Sequence, residues 1–299
     1  VSKTIKRNLP ASVRQRLLTL SRNRQEPFNT TLVRYAIERL LYRLSISPYA
    51  DRFLLKGAML FAIWSEILHR PTQDVDLLGY GDPDVGKLQN LFSEICSADV
   101  EPDGLTFLPE TVRAEPIRDQ APYSGIRITI QACLTNARIS VQVDIGFGDA
   151  VTPGPEDVRF PALLNFPSPR LRAYPVYTVV AEKIEAMVSL GIANSRMKDF
   201  YDVWFMSRTF DFDGSMLAAA IRNTFERRKT DLAIELPFSE DFALLKSTQW
   251  NGFVSRNKLL VPHFNELSAI VRQFVEPPFT AARKGEDFGR RWKAGADWS

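Results

Sequence analysis

The sequence predicts an α/β (α+β) amino-terminal half followed by a mainly helical carboxy-terminal half, and three observations carry this expectation. Two runs alternate apolar and polar residues with a period of two. "GIRITIQACL" sets Ile126, Ile128, Ile130 and Ala132 against Arg127, Thr129 and Gln131, and "ARISVQVDIGFG" sets Ile139, Val141, Val143 and Ile145 against Ser140, Gln142 and Asp144. That period places alternate side chains on opposite faces of a strand, and the intervening "TN" makes the pair a hairpin. Residues 150–175 carry six prolines, which mark a linker or crossover. Beyond them apolar residues recur at helical spacing. The expected division is 1–165 for the α/β part with its basic helical start, and 166–299 for the helical part.

Taken in order, "LPASVRQRLLTLSRNRQ" and "PFNTTLVRYAIERLLYRLSIS" read as helices, the second capped by Asn29 or Thr30. "RFLLKGAMLFAIWSEIL" reads as a short strand, a turn at Gly57 and a helix. "DVDLLGYG" is a strand ending in glycines, and "DPDVGKLQNLFSEICS" a helix opened by Asp82 or Asp84. After the prolines come "VYTVVAEKIEAMVSLGIA", "RMKDFYDVWFMSRTF", "GSMLAAAIRNTFERRK" and "FNELSAIVRQFVEPP", all helical, and a polar tail expected to be mobile.

Composition excludes several classes. With 45% hydrophobic and 24% charged residues over 299 positions, the chain is of ordinary globular make-up. Its two cysteines, Cys96 and Cys133, form no C-x-x-C, so a thiolate zinc site or a disulfide framework is not expected, and the usage fits a reducing cytosol. The start "VSKTIKRNLPASVRQ" lacks the apolar core of a secretory signal, and "GAMLFAIW" is too short to span a bilayer. The expected location is cytoplasmic, with no membrane partner. Net charge is only +3, but residues 1–43 hold ten Lys and Arg against Glu26 and Glu38. Such a basic end suits either a polyanion such as RNA or a solvated helix surface.

The chemistry-bearing stretch is "RPTQDVDLLGY". In a strand, Asp74 and Asp76 share one face while Val75 and Leu77 share the other. Two adjacent carboxylates repel unless a cation lies between them, and hard divalent cations take carboxylate oxygens. An isolated D-x-D is also compatible with a plain solvent-facing edge. Asp144, on the polar side of its own strand, is a candidate third carboxylate. Gly57 opens a helix after a strand, a geometry that can admit phosphate. Lys183 lies among Ile184, Met187 and Val188, where a lysine either snorkels or reaches a triphosphate. Asp199 and Asp202, three apart, share one helix face.

Together, "KGAMLFAIW" (56–64), "RPTQDVDLL" (70–78), "VQVDIGFG" (141–148), "AEKIEAM" (181–187) and "RMKDFYDVW" (196–204) resemble the nucleotidyltransferase toxins of the AbiEii/AbiGii type, which include the mycobacterial MenT toxins and are related to type IV toxin–antitoxin systems. The resemblance implies a polymerase-β-like nucleotidyltransferase domain with a small mixed sheet, followed by a helical domain. It implies Mg²⁺ (or Mn²⁺) held by Asp74 and Asp76 with Asp144 as third carboxylate, an NTP substrate, and catalytic roles for Asp74, Asp76, Lys183 and Asp199. Gly57, Arg70, Thr72, Lys183 and Asp202 fall at nucleotide-binding positions. Thr72 also falls where some relatives carry a serine phosphorylated by their antitoxin. The implied reaction adds nucleotides to the 3′ acceptor end of tRNA, which blocks aminoacylation and translation, and the implied partners are tRNA and an AbiEi-type antitoxin.

Ala58 departs from the family pattern, which commonly has Ser or a second Gly there, so a hydroxyl contact to phosphate is lost. Two other readings compete: the same chemistry on a small-molecule (aminoglycoside-like) or protein hydroxyl, and a non-catalytic RNA- or DNA-binding module. Retention of Asp74, Asp76 and Lys183 argues against the last.

Overall fold

The computed structural model describes residues 8–65, 74–117 and 125–299. The chain forms two compact units, Val1–Gly148 with Glu156–Ala173, and Asp149–Pro155 with Tyr174–Ser299. The first unit is α/β. Its helices are α1 (Leu9–Asn23), α2 (Phe28–Ser45), α3 (Phe61–Trp64) and α4 (Val85–Cys96). Its strands are β1 (Phe53–Lys56), β2 (Asp74–Gly79), β3 (Thr106–Ile117), β4 (Gly125–Leu134), β5 (Ala137–Phe147), β6 (Glu156–Arg159) and β7 (Arg170–Ala173). They make one mixed sheet in the order β3-β4-β5-β2-β1-β7-β6. The expected hairpin forms, with Leu134 paired to Ala137 across the two-residue loop.

One face of this sheet is apolar because the alternation is strict. Val75, Leu77, Ile126, Ile128, Ile130, Val141, Val143 and Ile145 are all buried, each contributing roughly 1.5–3 kcal/mol relative to exposure. The amphipathic α2 and α4 pack on that face, and Phe53 of β1 meets Phe92 of α4 edge-on at 5.7 Å. Asp84 caps α4 by accepting from the Lys87 N–H at 2.7 Å, as one of the two expected acids. Helix α2 instead starts behind Pro27 with no side-chain cap, so neither Asn29 nor Thr30 serves. Gly57 begins a 3₁₀ turn (Gly57–Leu60), and only the short α3 follows it within the described residues.

The basic amino-terminal region divides once folded. Arg43 donates to Asp103 at 2.7 Å, and both are buried. Arg39 is buried, donating to the Pro167 carbonyl at 2.6 Å and ion-paired to Glu38. Arg34 pairs with Glu26. Only Arg14, Arg16, Arg22 and Arg24, all on or just after α1, keep exposed cations among the described residues of that stretch. Three of the seven described cations of that stretch are thus engaged internally, and Lys3, Lys6 and Arg7 lie outside the described residues.

The second unit is mainly helical: α5 (Val176–Leu190), α6 (Met197–Thr209), α7 (Gly214–Arg228), α8 (Glu240–Asn257) and α9 (Phe264–Lys284), with a two-stranded ribbon of β8 (Phe212–Asp213) and β9 (Arg291–Trp292). Two sequence expectations change here. Helix α9 does not stop at "EPP" but runs through Pro277 and Pro278 to Lys284, held by the buried Phe279, Ala281 and Ala282 beyond them; packing outweighs the cost of interior prolines. The tail is anchored rather than loose. Trp292 Nε1 donates to the Ser207 carbonyl at 2.6 Å and Trp298 Nε1 to the Phe274 carbonyl at 3.0 Å, both rings buried. No helix among the described residues is long and apolar enough to cross a membrane.

Candidate active site

The polar face of the sheet in the first unit gathers the expected acids. Asp76 is the register partner of Lys56 on β1 and of Asp144 on β5, and Asp74 that of Gln142. Asp144 in turn is the partner of Arg127 on β4. Lys56, Asp74, Asp76, Arg127 and Asp144 therefore lie on one face, opposite the apolar side that α2 and α4 cover. Asp74 is exposed and Asp76 partly so.

Gly57 sits close against Asp76. Its φ is +70°, a conformation that L side chains rarely adopt. A Cβ placed there would lie 2.7 Å from Asp76 Cγ and 2.8 Å from Asp76 Cβ, inside contact distance, besides meeting the carboxylate oxygen itself. The glycine is thus a cradle for Asp76.

Asp144 lies beside Asp76 on the same face, but both its oxygens are engaged. Arg127 Nε donates to Oδ1 and Nη2 to Oδ2, each at 2.8 Å, in a bidentate fork. That hydrogen-bonded pairing raises the guanidinium's pKa further, with Asp74 adding to it through its charge. Arg127 is a site residue that sequence reading missed; its only signal was its place on the polar side of β4, opposite Asp144. Arg70 and Thr72 lie outside the described residues.

The second unit holds the remaining candidates. Lys183, on α5, does not snorkel. Its Nζ donates to Asp199 Oδ1 at 2.9 Å and to Asp202 Oδ2 at 2.6 Å. Both aspartates are fully buried on α6, as their three-residue spacing allows. Arg196 Nε approaches Asp199 Oδ2 at 2.7 Å as an ion pair, though not with hydrogen-bond geometry. The cluster is thus two cations around two buried acids.

Elsewhere in this unit, Arg228 forms ion pairs with Glu185 at 2.7 Å, Glu182 at 3.1 Å and Asp149 at 3.5 Å. Burial alone would lower its pKa, but the three acids outweigh that and raise it. Arg228 is thus committed internally.

A divalent cation fits the first unit by donor chemistry. Asp74 and Asp76 supply hard oxygen donors on one face, and the Gly57 cradle keeps Asp76 in place. Among the described residues no group of three or more His, Cys, Asp or Glu is disposed to hold a metal.

The sequence profile of the AbiEii nucleotidyl transferase toxin of type IV toxin–antitoxin systems matches residues 39–283. The chain belongs to this nucleotidyl transferase toxin family. No match was found among curated proteins. Among solved structures, the chain is similar to JHP933 from Helicobacter pylori, at 14% identity over 83% of this chain and 90% of that one, with a TM-score of 0.48. A second H. pylori structure, provisionally described as a nucleotidyltransferase, aligns at 14% identity over 84% and 94% of the two chains, with a TM-score of 0.46.

Proposed function

We propose that this toxin transfers a nucleotide from an NTP to the 3′ acceptor end of tRNA in the cytoplasm, preventing aminoacylation and so translation, under the control of an AbiEi-type antitoxin. The observation that carries the reading is the pair Asp74, exposed, and Asp76, partly exposed, on one sheet face, with Asp76 seated against Gly57. The MenT-like resemblance and the exposed Arg14, Arg16, Arg22 and Arg24 support RNA as the acceptor over a cationic small molecule.

In the reaction a 3′ hydroxyl attacks the α-phosphate in line, a new P–O bond forms as the hydroxyl proton passes to solvent, and pyrophosphate departs with the electrons of the bond it loses. The protein contributes chiefly position and charge. Asp74 and Asp76 would hold Mg²⁺ (or Mn²⁺), joined by Asp144 once Arg127 turns from it. The bound metal supplies Lewis-acid polarisation of phosphate oxygens and a more acidic hydroxyl. The family resemblance gives Lys183 the role of offsetting charge on the departing pyrophosphate; within its own unit Asp199 and Asp202 hold its ammonium in position. The family resemblance gives nucleotide-binding roles to Gly57 and, outside the described residues, to Arg70 and Thr72.

The test incubates the purified protein with total tRNA, Mg²⁺ and each labelled NTP in turn, beside Asp74→Ala and Asp76→Ala. Label at the tRNA 3′ end from one NTP, absent with both variants, is the expected result. Label on a small molecule or protein instead would replace tRNA as the acceptor, and no transfer to any acceptor would sink the enzymatic reading.

A further inference from the structure

The pairing register carries the face of the acids beyond them, past the buried Leu54 and Leu78, to a second group of charges. Lys56 and Leu54 point the same way on β1, Leu54 is the partner of Arg172 on β7, and Arg172 and Arg170 are the partners of Asp157 and Arg159 on β6. Arg159, Arg170 and Arg172 therefore lie on the same face as Asp74 and Asp76. β7 is two strands from β2 and β6 three, so the arginines stand about 10–15 Å across the sheet from the acids.

The arrangement is costly as a purely structural one. Arg159 and Arg170 are direct cross-strand partners, and like charges placed so are destabilising. Both are exposed, and among the described residues neither guanidinium has an ion-pair or hydrogen-bond partner. Arg172 donates weakly, at 3.4 Å, to the Asp51 carbonyl. Asp157 is the one acid on this face of the hairpin, against three arginines. β6 is also the sheet's edge strand. Charges on an edge discourage sheet-to-sheet pairing, but a lone cation would do that without a facing arginine.

We propose that the β6–β7 hairpin is a phosphate-backbone contact for the RNA acceptor strand. Three guanidiniums on the face of the acids suit a single strand whose 3′ end lies at Asp74 and Asp76, with phosphates two to three nucleotides upstream on Arg159, Arg170 and Arg172. Bidentate guanidinium–phosphate pairing relieves the Arg159–Arg170 repulsion when RNA is bound. The inference rests on the proposed RNA acceptor, and it assigns part of that acceptor's path.

The test measures tRNA affinity by fluorescence anisotropy against salt for the full chain, for Arg159→Gln/Arg170→Gln, and for Arg256→Gln on the exposed surface of α8 as control. Removing two phosphate contacts is expected to weaken binding and to reduce the slope of log K against log salt by about 1.4–1.8. The control should match the parent, and the double variant's melting temperature should not fall, since it removes a repulsion. An unchanged slope in the double variant, with the parent still binding and extending tRNA, would overturn the hairpin contact and leave the transferase reading standing. Failure of the parent itself to bind tRNA would overturn both. Loss of binding to an acidic protein partner, with tRNA binding unchanged, would reassign the hairpin to a protein interface and also overturn the proposal.

Discussion

Gly57 and Asp76 are packed so closely that the glycine has no room for a Cβ: one placed there would lie 2.7 Å from the Asp76 carboxyl carbon. Gly57→Ala is therefore expected to push Asp76 out of line with Asp74. A displacement of about 1 Å at a reacting centre can cost about a hundredfold in rate. The positive φ adds a backbone cost of roughly 1–2 kcal/mol. Steady-state nucleotide transfer and a thermal melt on the same preparation check both; full activity in the alanine variant would show that Asp76 need not stay where it is.

The Arg127–Asp144 fork separates the third carboxylate from the first two. If Asp144 chiefly serves Arg127, Asp144→Asn lowers Mg²⁺ affinity less than Asp74→Asn or Asp76→Asn does. Arg127→Gln, by freeing Asp144, should raise it. Isothermal titration of Mg²⁺ in the presence of NTP reads the order directly, and equal losses for all three acids would place Asp144 among the resident ligands.

Lys183 is both a candidate catalytic cation and the counter-ion of two fully buried acids. Lys183→Met should cost up to about 3–5 kcal/mol of stability, because it removes the ammonium shared by two buried carboxylates. Loss of activity in that variant is informative only beside a denaturation curve. A Lys183→Met protein as stable as its parent would mean that Asp199 and Asp202 are satisfied by other groups.

Glu38 gives a pH dependence. It is fully buried on α2, and its Oε2 accepts from the Leu163 N–H at 2.6 Å. Burial pushes its carboxyl up to about 7, outweighing the opposing pull of Arg39 and the Leu163 N–H. The folded state thus holds this proton more tightly than the unfolded chain. The contribution is full below about pH 4.5 and is lost as pH rises through 7, amounting to about 3 kcal/mol. Urea midpoints across that range should fall for the parent and fall less for Glu38→Gln; identical pH profiles would show that Glu38 does not titrate there.

Legibility in the sequence followed the range of the interaction. Period-two alternation disclosed β4 and β5, and with them the faces of Asp144 and Arg127. The short strands β6 and β7, four residues each, carry too few positions for a period and were read as linker. Helix α8 escaped notice as well: it buries only a few residues and leaves Leu244 and Leu245 exposed.

What the sequence determined by itself is what depends on neighbours along the chain: the helical stripes, the alternation of the hairpin, the shared face of Asp74 and Asp76, and the five short motifs that mark the family. Only the tertiary structure decided which charges are spent. Arg39 and Arg43 counted towards the basic amino-terminal end in the sequence, yet each is held by an acid or a carbonyl brought from far along the chain. Lys183 and Asp144 likewise acquired partners 16 to 19 and 17 residues away. A charged side chain's role depends on what lies within a few ångströms of it, and that is set by strand register and helix packing.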